Sequence, residues 1–174
     1  MEMKLHIGCG ARIEPGWENI DLSGPLPVRC LDVRYGLPYP DKSVQYIYCE
    51  HFLEHLTLAE GMAFLAECAR VLMLDGVLRI SVPSLRQLVD MYVKGNTKFA
   101  EVVGWLPATP CDMLNEGMRS WGHQYMYDAE KLREVLVAAG FTLVMPMEYA
   151  KTDIPEMLTE GRPNLGELIF EALR

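Results

Sequence analysis

From Val44 onward the chain alternates between two periodicities, and that alternation limits the fold more than any other feature. Val44 to Cys49 is a run of apolar and aromatic residues with the composition of a strand. Leu58, Met62, Leu65, Ala69 and Leu72 then recur at steps of four and three, the apolar stripe of a helix, with Thr57 and Glu60 as a capping box at its start. Asp75-Gly76 is expected to end this helix, because glycine accepts the left-handed conformation that follows a helix terminus. Val77 to Val82 reads as the next strand, stopped by Pro83, and Ser84 with Gln87 repeats the capping signal for a helix through about Lys94. Asp128 caps a further helix that buries Leu132, Val135, Leu136 and Ala139 and stops at Gly140, and Phe141 to Met147 is another strand. Strands alternating with helices specify an α/β domain with a parallel sheet covered by helices. Such sheets bind ligands at the C-terminal edge of their strands.

The first half places its conspicuous polar residues at that edge. Lys4-Leu5-His6-Ile7 is a short buried strand running into Gly8-Cys9-Gly10, and the segments Trp17 to Asp21 and Val28 to Asp32 are short strands that each end on an aspartate. Glu50-His51 follows the fourth strand. Glycines after a strand let a ligand approach the backbone where a Cβ would collide with it. An acid at the end of the next strand can take both hydroxyls of a ribose. Ile13 stands where the third glycine of G-x-G-x-x-G belongs, and G-x-x-x-x-G-K-[ST] is absent. The pattern suits a nucleoside ligand without phosphates.

Charge and composition exclude other classes. With 16 Lys+Arg against 24 Asp+Glu the net charge is −8, so no overall positive field draws in a phosphate backbone and nucleic acid is not an expected partner. The most apolar stretch, Val135 to Met147, is broken by Gly140, Thr142 and Pro146, well short of the roughly 18 apolar residues of a membrane span. The N-terminal residues lack a basic region followed by a signal-peptide core, which makes a cytoplasmic location the expectation. Cys9, Cys30, Cys49, Cys68 and Cys111 form an odd set with no C-x-x-C pair, so reduced thiols are expected. A length of 174 residues fits one domain over residues 1–174.

Two segments stay open. Residues 95 to 124, punctuated by Pro107, Pro110, Gly117 and Gly122, carry Trp105, Met113, Met118 and Trp121. They read either as a lid-like insertion or as a pair of short helices packed on the core. Leu165 to Leu173 is apolar enough for a last strand, although Glu167 to Arg174 also suits a short helix.

Leu5-His6-Ile7-Gly8-Cys9-Gly10, Asp21, Leu31-Asp32, Leu-Pro-Tyr-Pro-Asp-Lys-Ser at 37 to 43, Leu53-Glu54-His55-Leu56, Arg70-Val71-Leu72 and Asp75-Gly76-Val77-Leu78 resemble, as a set, class I S-adenosylmethionine-dependent methyltransferases. The Pro15-Gly16-Trp17 and Asn19-Ile20-Asp21 that follow the glycine turn are similar to a small bacterial group within them. Gly122-His123, Tyr125, Tyr127-Asp128 and Ala139-Gly140-Phe141 extend the resemblance to residue 147. It implies a Rossmann-like fold, a mostly parallel sheet of order 3-2-1-4-5-7-6 with an antiparallel last strand supplied by Leu165 to Leu173. It implies S-adenosylmethionine as cofactor and S-adenosylhomocysteine as product, with methyl transfer to a small-molecule or glycan-like acceptor, on oxygen or nitrogen. Gly8, Cys9 and Gly10 would wrap the methionine part and Asp21 the ribose; Asp32 and the Val33 backbone would meet the adenine. Glu50 and His51 would line the place where the methyl group leaves, with His55 a turn farther on. His123 is a further candidate for general base or acceptor contact, the plainer alternative being a loop histidine bonded to backbone.

This chain departs from the family pattern in three places. His6 occupies a position where many members carry an acid that orients the glycine loop. Only a few residues separate Gly10 from the second strand, and Leu22 to Pro27 is equally short, whereas a helical crossover takes a dozen or more. Helices on the strand 1–3 side are therefore expected to be reduced and the cofactor pocket open, to be closed by a second copy of the chain or by residues 95–124. Two rival functions stand beside the methyltransferase. One is a non-catalytic module that binds S-adenosylmethionine or a related nucleoside. The other is a zinc hydrolase, because His51-Phe52-Leu53-Glu54-His55 matches H-x-x-E-H, though a third ligand and a second acid cluster are wanting. For His55 the plainer alternative is capping or packing at the start of the helix.

Overall fold

A computed structural model describes residues 2–174. Strands β1 (Met3–Ile7), β2 (Glu18–Asp21), β3 (Arg29–Cys30), β4 (Val44–Glu50), β5 (Leu72–Val82), β6 (Leu143–Pro146) and β7 (Leu168–Leu173) form one sheet of order β3-β2-β1-β4-β5-β7-β6. The first five pair in parallel; β7 runs antiparallel to both β5 and β6. This is the order expected from the resemblance, and the C-terminal segment is a strand rather than a helix. Residues 8–17 and 22–28 contain no helix, so the β1–β3 side is thin as expected.

Alternation along the strands gives the two faces of the sheet different chemistry. Leu5, Ile7, Ile47, Cys49, Leu78, Ile80, Phe170 and Ala172 point to one face and are buried. Helix α1 (Leu58–Val71) and helix α4 (Ala129–Ala138) cover it with Phe64, Leu65, Cys68, Leu132 and Leu136. The opposite face carries a row that runs across the sheet from His6 to Tyr48, Arg79 and Glu171, residues paired in register on adjacent strands. All four are at most 3% exposed. Loops cover this face in place of helices: Arg12 reaches Tyr48 and the Thr159 carbonyl, and Glu160 reaches Arg79. A polar row under a loop can be satisfied by backbone groups and ion pairs, whereas a helix would offer an apolar stripe.

The capping box at α1 forms as expected, with the Thr57 backbone N–H donating to Glu60 and the Glu60 N–H to the Thr57 hydroxyl. The end of α1 differs from expectation. It stops at Val71, and β5 begins at Leu72, which pairs with Val44 before the register shifts to Tyr46 opposite Val77. Asp75-Gly76 thus lies in an irregularity within the strand. The physical reason is that Lys42 and Ser43 donate to the Arg70 and Val71 carbonyls, capturing the helix end five residues before the glycine.

Residues 95–124 combine features of both expectations. They hold one α-helix, α3 (Pro110–Arg119), and single 3-10 turns at Glu101–Val103 and Ser120–Gly122. The helix packs on α2 (Leu85–Val93) around a small second core of Leu88, Met91 and Met113, flanked by Phe99, Trp105 and Met126. Gly117 makes this approach possible, because a Cβ there would stand 2.7 Å from Leu88. No helix among the described residues is long and apolar enough to cross a membrane.

Tyr127 packs in the main core with its hydroxyl buried and without a hydrogen-bond partner. A buried unpaired hydroxyl is unfavourable. Tyr127→Phe is therefore expected to leave stability unchanged or raise it by about 1 kcal/mol, a rise in Tm of roughly 2–4 °C. A loss of more than that amount in urea denaturation would mean that the hydroxyl is bonded in solution.

Candidate active site

The C-terminal ends of β1, β2 and β3 open onto a cavity of about 310 Å³. Gly8 and Gly10 have φ of +69° and +54°, left-handed values that a side chain makes costly. The Gly8 and Cys9 N–H groups both donate to the Ile20 carbonyl, and the Gly10 N–H donates to the Asp21 carboxylate at 2.8 Å. Asp21 also accepts from the Leu22 N–H at 2.7 Å. These bonds clamp the turn between β1 and the end of β2, and ionised Asp21 retains lone pairs for a ligand. Asp32 caps the turn Val33–Tyr35 and pairs with Arg34 at 2.6 Å, which holds its carboxyl below the usual range. Gly8, Asp21, Asp32 and Val33 line this cavity together with Phe52 and His55. Cys9 is buried within the turn, and no atom lies within 4 Å of where a Cβ on Gly10 would stand.

Two residues expected at the cofactor stand back from the cavity. His6 is buried behind the turn, its Nδ1 3.2 Å from Asn19 Oδ1, and burial lowers its pKa. Asn19 in turn accepts from the Glu14 N–H and donates to the Glu14 and Trp17 carbonyls. The His6–Asn19 pair thus braces the loop after the glycines from below. Glu50 is only 8% exposed; it accepts from the Gly161 and Arg162 N–H groups and from the Tyr48 hydroxyl. Its carboxylate fastens the segment before β7 to the sheet and faces neither cavity. Sequence proximity to His51 concealed this, because its backbone partners, Gly161 and Arg162, lie more than a hundred residues away.

A second cavity, of about 410 Å³, adjoins the first. Leu88, Phe99, Trp105, Trp121 and Met126 give it apolar and aromatic walls; His51, His55, His123, Arg162 and Glu167 are its ionisable groups, beside Ser84 and Gln87. His55 lines both cavities. Arg162 and Glu167 were not anticipated, since nothing in the irregular stretch before β7 marks them as part of a site.

All three histidines line this cavity, in different surroundings. His51 closes β4 with a left-handed φ of +51° and sits between Glu54 at 3.4 Å and Glu167 at 3.6 Å. Burial opposes its charge, yet Glu167 and Glu54 outweigh burial and raise its pKa to about 9. Burial keeps His55 below its ordinary value. His123 donates from Nδ1 to the Gly117 carbonyl at 2.9 Å, which leaves the lone pair on Nε2. The rings of His55 and His123 are 5.1 Å apart, edge to face.

The zinc-hydrolase alternative fails on backbone geometry. H-x-x-E-H needs both histidines on one face of a helix, whereas His51 is a strand end and Leu53–His55 a single 3-10 turn. Glu54 and His55 do meet a second histidine, but it is His123.

Comparison with known proteins agrees with this geometry. Residues 10–80 match the family described as a methyltransferase domain. No curated protein sequence matches the chain. Among solved structures, the chain is similar to an S-adenosylmethionine-dependent methyltransferase from Archaeoglobus fulgidus, with a TM-score of 0.62 at 17% identity over 99% of this chain and 86% of that one. A second, from Mesorhizobium loti, gives 0.61 at 15% identity over 99% and 90%. The Haemonchus contortus phosphoethanolamine N-methyltransferase 2, solved with S-adenosylmethionine bound, gives 0.54 at 16% identity over 84% and 35%. With its strand order and its glycine turn clamped to Asp21, the chain has the fold of these S-adenosylmethionine-dependent methyltransferases, and its residues 10–80 match a methyltransferase domain.

Proposed function

We propose that the chain methylates an oxygen or nitrogen of a small-molecule or glycan-like acceptor bound in the larger cavity, with S-adenosylmethionine in the smaller. The observation that carries this reading is that the two cavities meet at His55, so that a donor in one and an acceptor in the other face each other. The turn Gly8-Cys9-Gly10 lies against the methionine end, Asp21 holds the ribose hydroxyls, and Asp32 with Val33 borders the adenine. The cofactor supplies an activated methyl group, whose transfer is an in-line displacement that alignment alone greatly accelerates. The apolar walls from Trp105, Trp121 and Leu88 exclude water from the acceptor side. His51, held charged with one ring nitrogen facing each of two carboxylates, keeps its proton near neutral pH and sets a fixed positive charge in the wall of the acceptor cavity. His55, kept neutral by burial, offers a lone pair at the crossing point.

The reading is tested by calorimetric titration of S-adenosylhomocysteine into wild type and Asp21→Ala in the presence of chelator. Micromolar binding is expected for wild type. Loss of the charged hydrogen bonds at Asp21 should weaken it by about 1.5–3 kcal/mol, roughly 10–150-fold. Absence of binding to wild type would overturn the assignment. Binding unchanged by the substitution would remove Asp21 from it.

A further inference from the structure

Glu54 is only partly balanced in the proposed site, since the one charged group beside it, His51, is shared with Glu167. Glu54 is 0% exposed, and neither carboxylate oxygen has a hydrogen-bond partner. A buried carboxylate without hydrogen bonds is strongly unfavourable and favours a cation in direct contact with it. His51 Nδ1 at 3.4 Å and His55 Nε2 at 3.9 Å are close, but neither makes a hydrogen bond to it. One ligand atom from each of Glu54, His55 and His123 lies within 4.8 Å of the other two. Ligands about 2.0–2.2 Å from a common ion stand roughly 3–4 Å apart, so small side-chain rotations would bring this trio into coordination.

We propose that Glu54, His55 and His123 bind a divalent transition-metal ion at the junction of the two cavities. Three features support a built site rather than a chance grouping. The carboxylate is buried and unpartnered, unlike the exposed acidic groups that often lie near one another. The Gln124 and Tyr125 N–H groups both donate to the Glu54 carbonyl, at 2.7 and 3.2 Å, and so tie the backbone next to His123 to the Glu54 turn. His123 donates from Nδ1 to the Gly117 carbonyl, the outer bond that fixes a ligating histidine in its tautomer and leaves Nε2 for the metal. Two imidazoles and one carboxylate suit Zn²⁺, Fe²⁺, Mn²⁺ or Co²⁺ better than Mg²⁺ or Ca²⁺, which favour oxygen throughout. Three protein ligands leave positions open. Because His55 and His123 line the larger cavity, those positions face the acceptor. On the methyltransferase reading, the ion selects acceptors that bring a hydroxyl or another oxygen donor to it and draws that oxygen up to the methyl group.

The test uses the full chain without a histidine tag, stripped with chelator, dialysed and titrated with Zn²⁺ calorimetrically and with Co²⁺ by visible absorption. One ion per chain is expected, at micromolar affinity or tighter. Glu54→Gln and, separately, His123→Asn should each weaken it at least tenfold; His123 sits in a partly exposed loop, so this variant remains informative if Glu54→Gln does not fold. Failure of wild type to take up either ion stoichiometrically would overturn the site, and so would unchanged binding in His123→Asn. S-adenosylhomocysteine titrated into the same metal-free samples separates the two readings. Metal uptake without nucleoside binding keeps the site and removes the methyltransferase; nucleoside binding without metal uptake removes the site alone.

Discussion

Arg79→Ala is expected to cost about 3–5 kcal/mol of stability, the cost of removing one partner from a buried ion pair. On a chain of this size that corresponds to a fall in Tm of roughly 10 °C or more. Arg79 is 0% exposed in the middle of β5. Its guanidinium donates twice to Glu160 at 2.9 Å, once to Glu171 at 2.7 Å and once to the Lys151 carbonyl at 2.8 Å. Alanine would leave the carboxylates of Glu160 and Glu171, 8% and 3% exposed, facing each other without a cation. Glu160 also accepts from the Ala150 N–H, so the loss would spread to the segment covering the polar sheet face. That segment leads directly to Arg162 and Glu167 in the wall of the larger cavity, so acceptor affinity should fall with stability. Urea denaturation measures the first effect, and a loss below 1 kcal/mol would show that the triad adds nothing. Combining Arg79→Met with Glu160→Gln and Glu171→Leu should recover much of the loss, because it removes the buried charges together.

Arg79 also marks the boundary of what the sequence makes legible. The run Val77 to Val82 reads as a buried strand from its apolar residues alone, and the paired caps Thr57 with Glu60 and Ser84 with Gln87 are local signals that the fold honours. The partners of Arg79 lie 81 and 92 residues away. No periodicity connects them, so an arginine in a strand looks like an outward-facing residue until the covering loop is in place. The same holds for Glu50, whose position after β4 suggests a ligand contact although its hydrogen bonds go to Gly161 and Arg162. Glu54 and His123 come together from 69 positions apart, whereas the H-x-x-E-H string pairs Glu54 with His51, which is not in the cluster. By contrast the placement of the glycine turn, Asp21 and Asp32 around one cavity is legible because it follows from strand ends, which a short segment defines by itself. Asp75-Gly76 misled for a related reason: a helix stop is local, but the capture of α1 by Lys42 and Ser43 is a tertiary event that came first along the chain.

Gly8→Ala is expected to weaken S-adenosylhomocysteine binding more than a hundredfold, the steepest loss of affinity in the molecule. A Cβ at Gly8 would stand 2.7 Å from the ring of Phe52 and would meet it in a conformation with φ of +69°. The left-handed backbone alone costs alanine about 1–2 kcal/mol. Phe52 has little room to retreat, since its ring packs edge to face on Phe64 at 5.2 Å, and Phe64 is buried under the sheet. The strain therefore passes to the turn, whose N–H groups at Gly8, Cys9 and Gly10 hold it to Ile20 and Asp21. Once that clamp moves, the carboxylate proposed for the ribose moves with it. Gly10→Ala separates this cause from simple backbone strain. Its φ of +54° carries a similar conformational cost, but its Cβ would meet nothing within 4 Å. It should destabilise the fold by only about 1 kcal/mol. If the open space beside Gly10 is where the cofactor approaches, Gly10→Ala also loses affinity, by tenfold or more, while its melting curve stays close to that of wild type. If Gly10→Ala binds like wild type while Gly8→Ala fails, the cofactor is held by the shape of the turn and not by contact with its second glycine. Wild-type binding in Gly8→Ala would refute the turn as the cofactor cradle altogether, since a methyl at Gly8 stands 2.7 Å from Phe52 and cannot enter without moving the ring or the turn.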